Sequence, residues 1–147
     1  MIILIADDDK LVRLSIKSML CDIFQDDCII VEAKNGRALV EKCSDRHPDL
    51  AFVDIDMPYL DGLTGISQCK DESPNTQFVI LTGHSDFSYA QKSISLGVVD
   101  YALKPLEMDY LIDLIDKLQK RRSCSLTAQN SDFQAFIANL FQLMDEG

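Results

Sequence analysis

Residues 50–58 read Leu50-Ala51-Phe52-Val53-Asp54-Ile55-Asp56-Met57-Pro58. Apolar residues run up to a carboxylate, and a turn-forming proline follows. A short apolar run of this kind suits a strand buried on both faces, as in a parallel sheet. Four similar runs flank it: Ile2–Ala6, Cys28–Glu32, Gln77–Leu81 and Val98–Leu103. They are rich in β-branched residues and about five residues long, as buried strands are.

The segments between these runs carry helical spacing. Leu11, Leu14, Ile16, Met19, Leu20 and Ile23 recur near a helical period, with Asp8 or Asp9 available as N-cap. Ala38, Leu39 and Val40 follow Asn35-Gly36, and Leu63, Ile66 and Cys69 follow the turn signal Asp61-Gly62. Phe87, Ala90, Ile94 and Leu96 precede Gly97, a residue suited to ending a helix. Leu106, Tyr110, Leu111, Leu114, Ile115 and Leu118 follow Pro105, which is expected in the first turn. Strand and helix alternate five times, which predicts an α/β fold: a doubly wound five-stranded parallel sheet flanked by five helices.

Ser123–Asn130 are polar and read as a linker. Phe133, Phe136, Ile137, Leu140, Phe141 and Met144 then form one apolar stripe, and Ser131 with Gln134 makes a capping-box signature. The expected organisation is a domain over residues 1–122, followed by a linker and amphipathic helix over 123–147. A helix this short is marginal alone in water, so its stripe requires a partner surface. That surface lies on its own domain, on a second copy or on a downstream domain.

Bulk composition narrows the function. The chain has 147 residues, enough for one domain with a core of its own. A net charge of −10 argues against direct nucleic-acid binding, which needs clustered Lys and Arg. The basic cluster Lys117, Lys120, Arg121 and Arg122 sits where a helix should end, complementing its dipole. Five cysteines without a CxxC pair support neither a disulfide framework nor a zinc site; reduced, mostly buried thiols in a cytoplasmic protein fit best. No run is long enough to span a membrane, and the N-terminus lacks the features of a signal peptide.

In parallel sheets, ligands sit beyond the carboxyl ends of the strands. The first strand ends in Asp7-Asp8-Asp9, the third in Asp54, the fourth in Thr82-Gly83 and the fifth in Lys104-Pro105. Carboxylates, a hydroxyl and an ammonium therefore converge on one sheet edge. The acidic triplet alone would pass for helix caps in solvent, and Thr82 alone for a β-branched strand residue. Together with Asp54 and Lys104 they read as a site. Clustered carboxylates raise one another's pKa unless a cation intervenes. Oxygen ligands without His or Cys favour a hard cation, and Mg²⁺ combines a few carboxylates with phosphate oxygens. Lys104 would be costly at the end of a buried strand unless paired. Near Asp54, at about 4 Å, such a pair is worth on the order of 4 kcal/mol before desolvation is counted against it. His47 and His84 read as loop residues rather than catalytic groups.

The set Ala6-Asp7-Asp8, Asp54-Ile55-Asp56-Met57-Pro58, Leu81-Thr82-Gly83 and Leu103-Lys104-Pro105 resembles the response-regulator receiver domain of two-component systems, with its flavodoxin-like fold. Each element alone is weak; all four in this order are specific. The resemblance covers residues 2–122. It implies that Asp54 is the phosphoacceptor, and that Asp7, Asp8, Asp54 and the backbone carbonyl of Asp56 bind Mg²⁺. It implies that Thr82 and Lys104 contact the phosphoryl group and that Tyr101 is the switch aromatic. It also implies a sensor histidine kinase as donor, transcription as an output, and a switch rather than an enzyme, one that assists its own phosphotransfer and dephosphorylation. The stretches Gly83–Gln91 and Leu96–Tyr101 look like receivers that precede an AraC-type helix-turn-helix domain. No such DNA-binding output domain is seen in the sequence, so a stand-alone receiver or an excised domain is expected, with homodimerisation possible. Two other readings compete. One is a phosphorylation-independent pseudo-receiver, which normally lacks the acidic pair, the acceptor or the lysine. The other is a haloacid-dehalogenase-type phosphatase, which shares Asp-x-Asp but fits Met57-Pro58 poorly.

Overall fold

A computed structural model describes residues 1–25, 27–83 and 87–123. Five strands alternate with five helices: β1 (Ile2–Ala6), α1 (Lys10–Phe24), β2 (Ile29–Ala33), α2 (Gly36–Arg46), β3 (Leu50–Asp54), α3 (Gly62–Glu72), β4 (Gln77–Thr82), α4 (Phe87–Leu96), β5 (Asp100–Leu103) and α5 (Met108–Ser123). All the strand pairs are parallel, in the order β2-β1-β3-β4-β5. The doubly wound α/β architecture expected from the alternation is thus the one observed.

Strand position explains strand composition. β3, at the centre, is buried at every residue, and β1 and β4 beside it are buried at all but the first. Each therefore reads as an unbroken apolar run. The edge strands β2 and β5 are only partly buried, and Ile29 and Leu103 are exposed there. Two strands begin later than expected, and β4 extends by one residue to Thr82. β2 is shifted by one residue, and β5 starts at Asp100, because Val98 and Val99 lie in the approach to the strand. Val98 is nonetheless buried, so its apolar character serves the core, and the Val99 N–H donates to the Phe78 carbonyl.

Each of the first three helices starts on a side-chain cap. Asp9 accepts from the Leu11 N–H, Asn35 from Ala38 and Asp61 from Thr64, at 2.8–2.9 Å. Gly97 closes α4 with φ +69, a left-handed conformation that glycine adopts freely. His47 is exposed at the C-cap of α2, next to Pro48. α2 and α3 pack on one another, and close approach there depends on missing side chains. A Cβ on Gly36 would lie 2.1 Å from the Leu60 carbonyl oxygen, and one on Gly65 would lie 2.8 Å from the Leu39 side chain. Cys43 and Cys69 are fully buried on these two helices, while Cys21 and Cys28 are half-buried.

The chain divides into a unit spanning Met1–Pro105 and a second beginning at Leu106. The expected place of Pro105 is not observed. The Lys104–Pro105 peptide is cis and α5 begins only at Met108, with the Leu111 N–H donating to the Glu107 carbonyl. Pro105 thus belongs to the connection after β5. Within α5, Leu111, Leu114, Ile115 and Leu118 are buried at helical spacing. Lys120 pairs with Asp116 one turn earlier at 3.0 Å. Most of the expected linker and the whole expected tail helix, Cys124–Gly147, lie outside the described residues, as does His84.

Candidate functional site

The topology reverses between β1 and β3, which run side by side with their continuations on opposite sides. The carboxyl edge at that point is the expected ligand crevice. Asp7 and Asp8 follow β1, and Asp54 is the last residue of β3. These three carboxylates each place an oxygen within 4.8 Å of the others. Asp7 is fully buried, Asp54 nearly so, and Asp8 is exposed.

Asp7 is held on several sides. Its N–H donates to the Ala33 carbonyl of β2 at 3.0 Å, and its Oδ1 accepts from the Asp9 N–H at 2.9 Å. The neighbouring Asp9 caps α1, so the triplet divides its work: Asp9 serves the helix, while Asp7 and Asp8 face the crevice. Asp54 Oδ1 accepts from the Asp56 N–H at 3.2 Å. This bond folds the loop after β3 back over its carboxylate. The fold of that loop rests on Gly62: its N–H donates to the Ile55 carbonyl at 2.9 Å, and a Cβ there would lie 2.1 Å from the Asp54 carbonyl oxygen.

Lys104 arrives from the far end of β5. Its N–H donates to the Thr82 carbonyl at 2.8 Å, which sets the lysine beside the end of β4. Its Nζ lies 2.8 Å from Asp7 Oδ2 and 3.2 Å from Asp54 Oδ2, so one ammonium bridges two buried carboxylates. Asp7 Oδ2 is buried, and the Lys104 ammonium at 2.8 Å is what compensates its charge. Thr82 is buried at the end of β4, and Tyr101 lies one strand over, paired in register with Ile80. All the residues expected at the site in Met1–Pro105 thus fall on one sheet edge, with Tyr101 set back along β5.

The electrostatics follow from this packing. Burial, then the negative charge of Asp7, push the Asp54 carboxyl up from the ordinary 3.8 to about 6, although Lys104 and the Asp56 N–H pull the other way. Burial works against the Lys104 ammonium, but Asp7 and Asp54 outweigh it, and its pKa stands above the usual lysine value. One lysine does not neutralise three clustered carboxylates. Three carboxylates within 4.8 Å of one another, with no His or Cys among them, fit a hard divalent cation.

Arg13 did not stand out in the sequence. Its guanidinium bonds the Asp7 backbone carbonyl and the Glu32 carboxylate. The available signals were a charged residue inside the apolar run of β2 and an arginine on the first turns of α1. Neither is specific without the fold. Gly62 was visible as a turn residue, but its approach to the Asp54 carbonyl was not.

The model of the response regulator receiver domain family matches residues 3–116, and the chain belongs to that family. The chemotaxis protein CheY of Bacillus subtilis is 32% identical over 116 residues, covering 78% of this chain and 94% of that protein. The uncharacterized transcriptional regulatory protein YesN of the same organism is 26% identical over 95% of this chain, which spans only 40% of YesN. Among solved structures, the receiver domain of AraT, a response regulator from Geobacillus stearothermophilus, superposes with a TM-score of 0.75 at 33% identity, covering 84% of this chain and 96% of that one. No helix among the described residues is long and apolar enough to cross a membrane.

Proposed function

We propose that this chain is a phosphorelay switch in which Asp54 accepts a phosphoryl group from the phosphohistidine of a sensor kinase. The observation that carries this reading is the single Lys104 ammonium between Asp7 and Asp54, two carboxylates buried at the same sheet edge. Such an arrangement holds a carboxylate ionised where the added oxygens of a phosphoryl group meet a cation already in place.

An Asp54 carboxylate oxygen attacks phosphorus in line. The phosphorus–nitrogen bond to the kinase histidine breaks, and its electron pair returns to the imidazole. Lys104 Nζ shifts its attraction to a phosphoryl oxygen, and the Thr82 hydroxyl donates to another. Catalysis is mostly positioning and charge neutralisation. Mg²⁺ would be held by Asp7, Asp8, Asp54 and the Asp56 backbone carbonyl; when bound it neutralises the carboxylates and the charge on the transferring group. The acyl phosphate carries about −1.5 to −2 charge. Its contacts to Thr82 and Lys104 bias one packing of α4 and β5, with Tyr101 changing rotamer as Thr82 moves.

The chain is a switch rather than a turnover enzyme and works in the cytoplasm. Its output is transcription, through an AraC-type DNA-binding domain or a second copy of the chain, reached by residues 123–147. Deleting residues 131–147 should then change sedimentation or stability; no change in either reduces the tail to a linker. The central test is intact mass after acetyl phosphate and Mg²⁺. One added phosphoryl group on the wild type and none on Asp54→Ala is expected. No addition to the wild type, or undiminished addition to Asp54→Ala, refutes the assignment. Hydrolysis of a generic phosphomonoester with turnover would favour a phosphatase instead.

A further inference from the structure

The acidic pair that follows β1 is carried on one peptide group, the Asp7–Asp8 linkage, and that group is gripped from outside the pocket. Arg13 Nη1 donates to the Asp7 carbonyl oxygen at 2.6 Å, a short charge-assisted bond. Arg13 Nε donates to Glu32 Oε1 at 3.1 Å, so the guanidinium is itself fixed. Its side chain is only 14% exposed, so little water competes for these bonds. Lys17, one turn further along α1, lies 3.9 Å from the other Glu32 oxygen. The chain of contacts runs from α1 through β2 to the peptide that bears both carboxylates. On the far side of the same residue, the Asp7 N–H is held by the Ala33 carbonyl, next to Glu32. Rotation of the Asp7–Asp8 peptide would break the Arg13 bond and swing the two carboxylates out of their common orientation.

We infer that Arg13, locked by Glu32, is a positioning residue for the divalent-cation pocket: it orients the Asp7–Asp8 peptide so that both carboxylates face Asp54. This rests on the reading of that pocket as a cation site. Arg13 bonds the Asp7 carbonyl oxygen and Glu32, so it acts on the pocket through the backbone of Asp7. The planar fork suits the task, since it serves a carbonyl and a carboxylate at once.

Charge and position make opposite predictions, which makes the inference testable. If Arg13 mattered only as a nearby positive charge, removing it would strengthen binding of a divalent cation. If it orients the ligands, removing it weakens binding, as loss of an outer partner of a metal ligand commonly does by about 10-fold or more. The experiment is a calorimetric Mg²⁺ titration, with Mn²⁺ electron paramagnetic resonance as a second readout, on the full chain and on Arg13→Gln and Glu32→Gln. Unfolding in EDTA is followed alongside to establish that each variant is folded. The expected result is a dissociation constant raised about 10-fold in Arg13→Gln, with a smaller rise in Glu32→Gln. An Arg13→Gln affinity equal to or tighter than wild type overturns the inference. If that variant does not fold, an unchanged affinity in Glu32→Gln overturns it instead. Absence of Mg²⁺ binding by the wild type would count against the cation-site reading itself, a result distinct from failure in the variants alone.

Discussion

Replacing Asp54 by asparagine should stabilise the protein at neutral pH in metal-free buffer. The carboxyl is buried beside Asp7, and its pKa rises from the ordinary 3.8 to about 6. Below pH 4 the group is protonated whether the chain is folded or not, and it contributes nothing. Between pH 4 and 6 the folded chain holds its proton more tightly than the unfolded chain. Stability therefore falls as pH rises through this window, and the full cost is present above pH 6. A shift of roughly 2 units corresponds to about 3 kcal/mol. Asparagine is nearly isosteric, keeps an oxygen for the Asp56 N–H, and leaves Lys104 paired with Asp7. Asp54→Asn should thus gain about 2–3 kcal/mol at pH 7.5, or several degrees in Tm. The gain should vanish near pH 4. The assay is urea unfolding in EDTA across pH 4–8, repeated with Mg²⁺, which should stabilise the wild type preferentially and narrow the gap. A variant no more stable than wild type at pH 7.5, or a difference that does not vary with pH, would refute the electrostatic account of the site.

Lys104→Met should do the reverse. It strands two buried carboxylates and should cost about 3 kcal/mol at pH 7.5, with a smaller loss at pH 5 as Asp54 takes up a proton; equal losses at both values would contradict the bridging role. Glycine positions should separate sharply. Gly62→Ala forces a Cβ to within 2.1 Å of the Asp54 carbonyl oxygen, whereas a Cβ on Gly83 meets nothing within 4 Å. The first should lose about 2 kcal/mol or more and labelling by acetyl phosphate, while the second stays within about 0.5 kcal/mol of wild type; thermal unfolding of both decides it.

Much of this architecture was legible in the sequence because its signals are local. The burial of β3 on both faces is written in Leu50-Ala51-Phe52-Val53, and the caps Asp9, Asn35 and Asp61 act within three residues of themselves. Strand alternation and the rule for ligand crevices in parallel sheets then assign Asp7, Asp8, Asp54, Thr82 and Lys104 to one edge from the sequence alone. Boundaries were less legible where tertiary pairing decides them. Val98 and Val99 look like strand residues but precede the ladder of β5, and Pro105 sits in a cis linkage rather than in the first turn of α5.

What only the tertiary structure decided is how those residues meet. The bridge from Lys104 to both Asp7 and Asp54 and the raised pKa of Asp54 depend on side chains separated by dozens of residues. The grip of Arg13 on the Asp7 carbonyl depends on a contact between α1 and the end of β1, fixed by Glu32 from β2. A linear pattern records which strand ends bear charge, since each residue's periodicity is set by its immediate neighbours. It does not record distances across the sheet, and Coulomb energies and desolvation are functions of those distances alone.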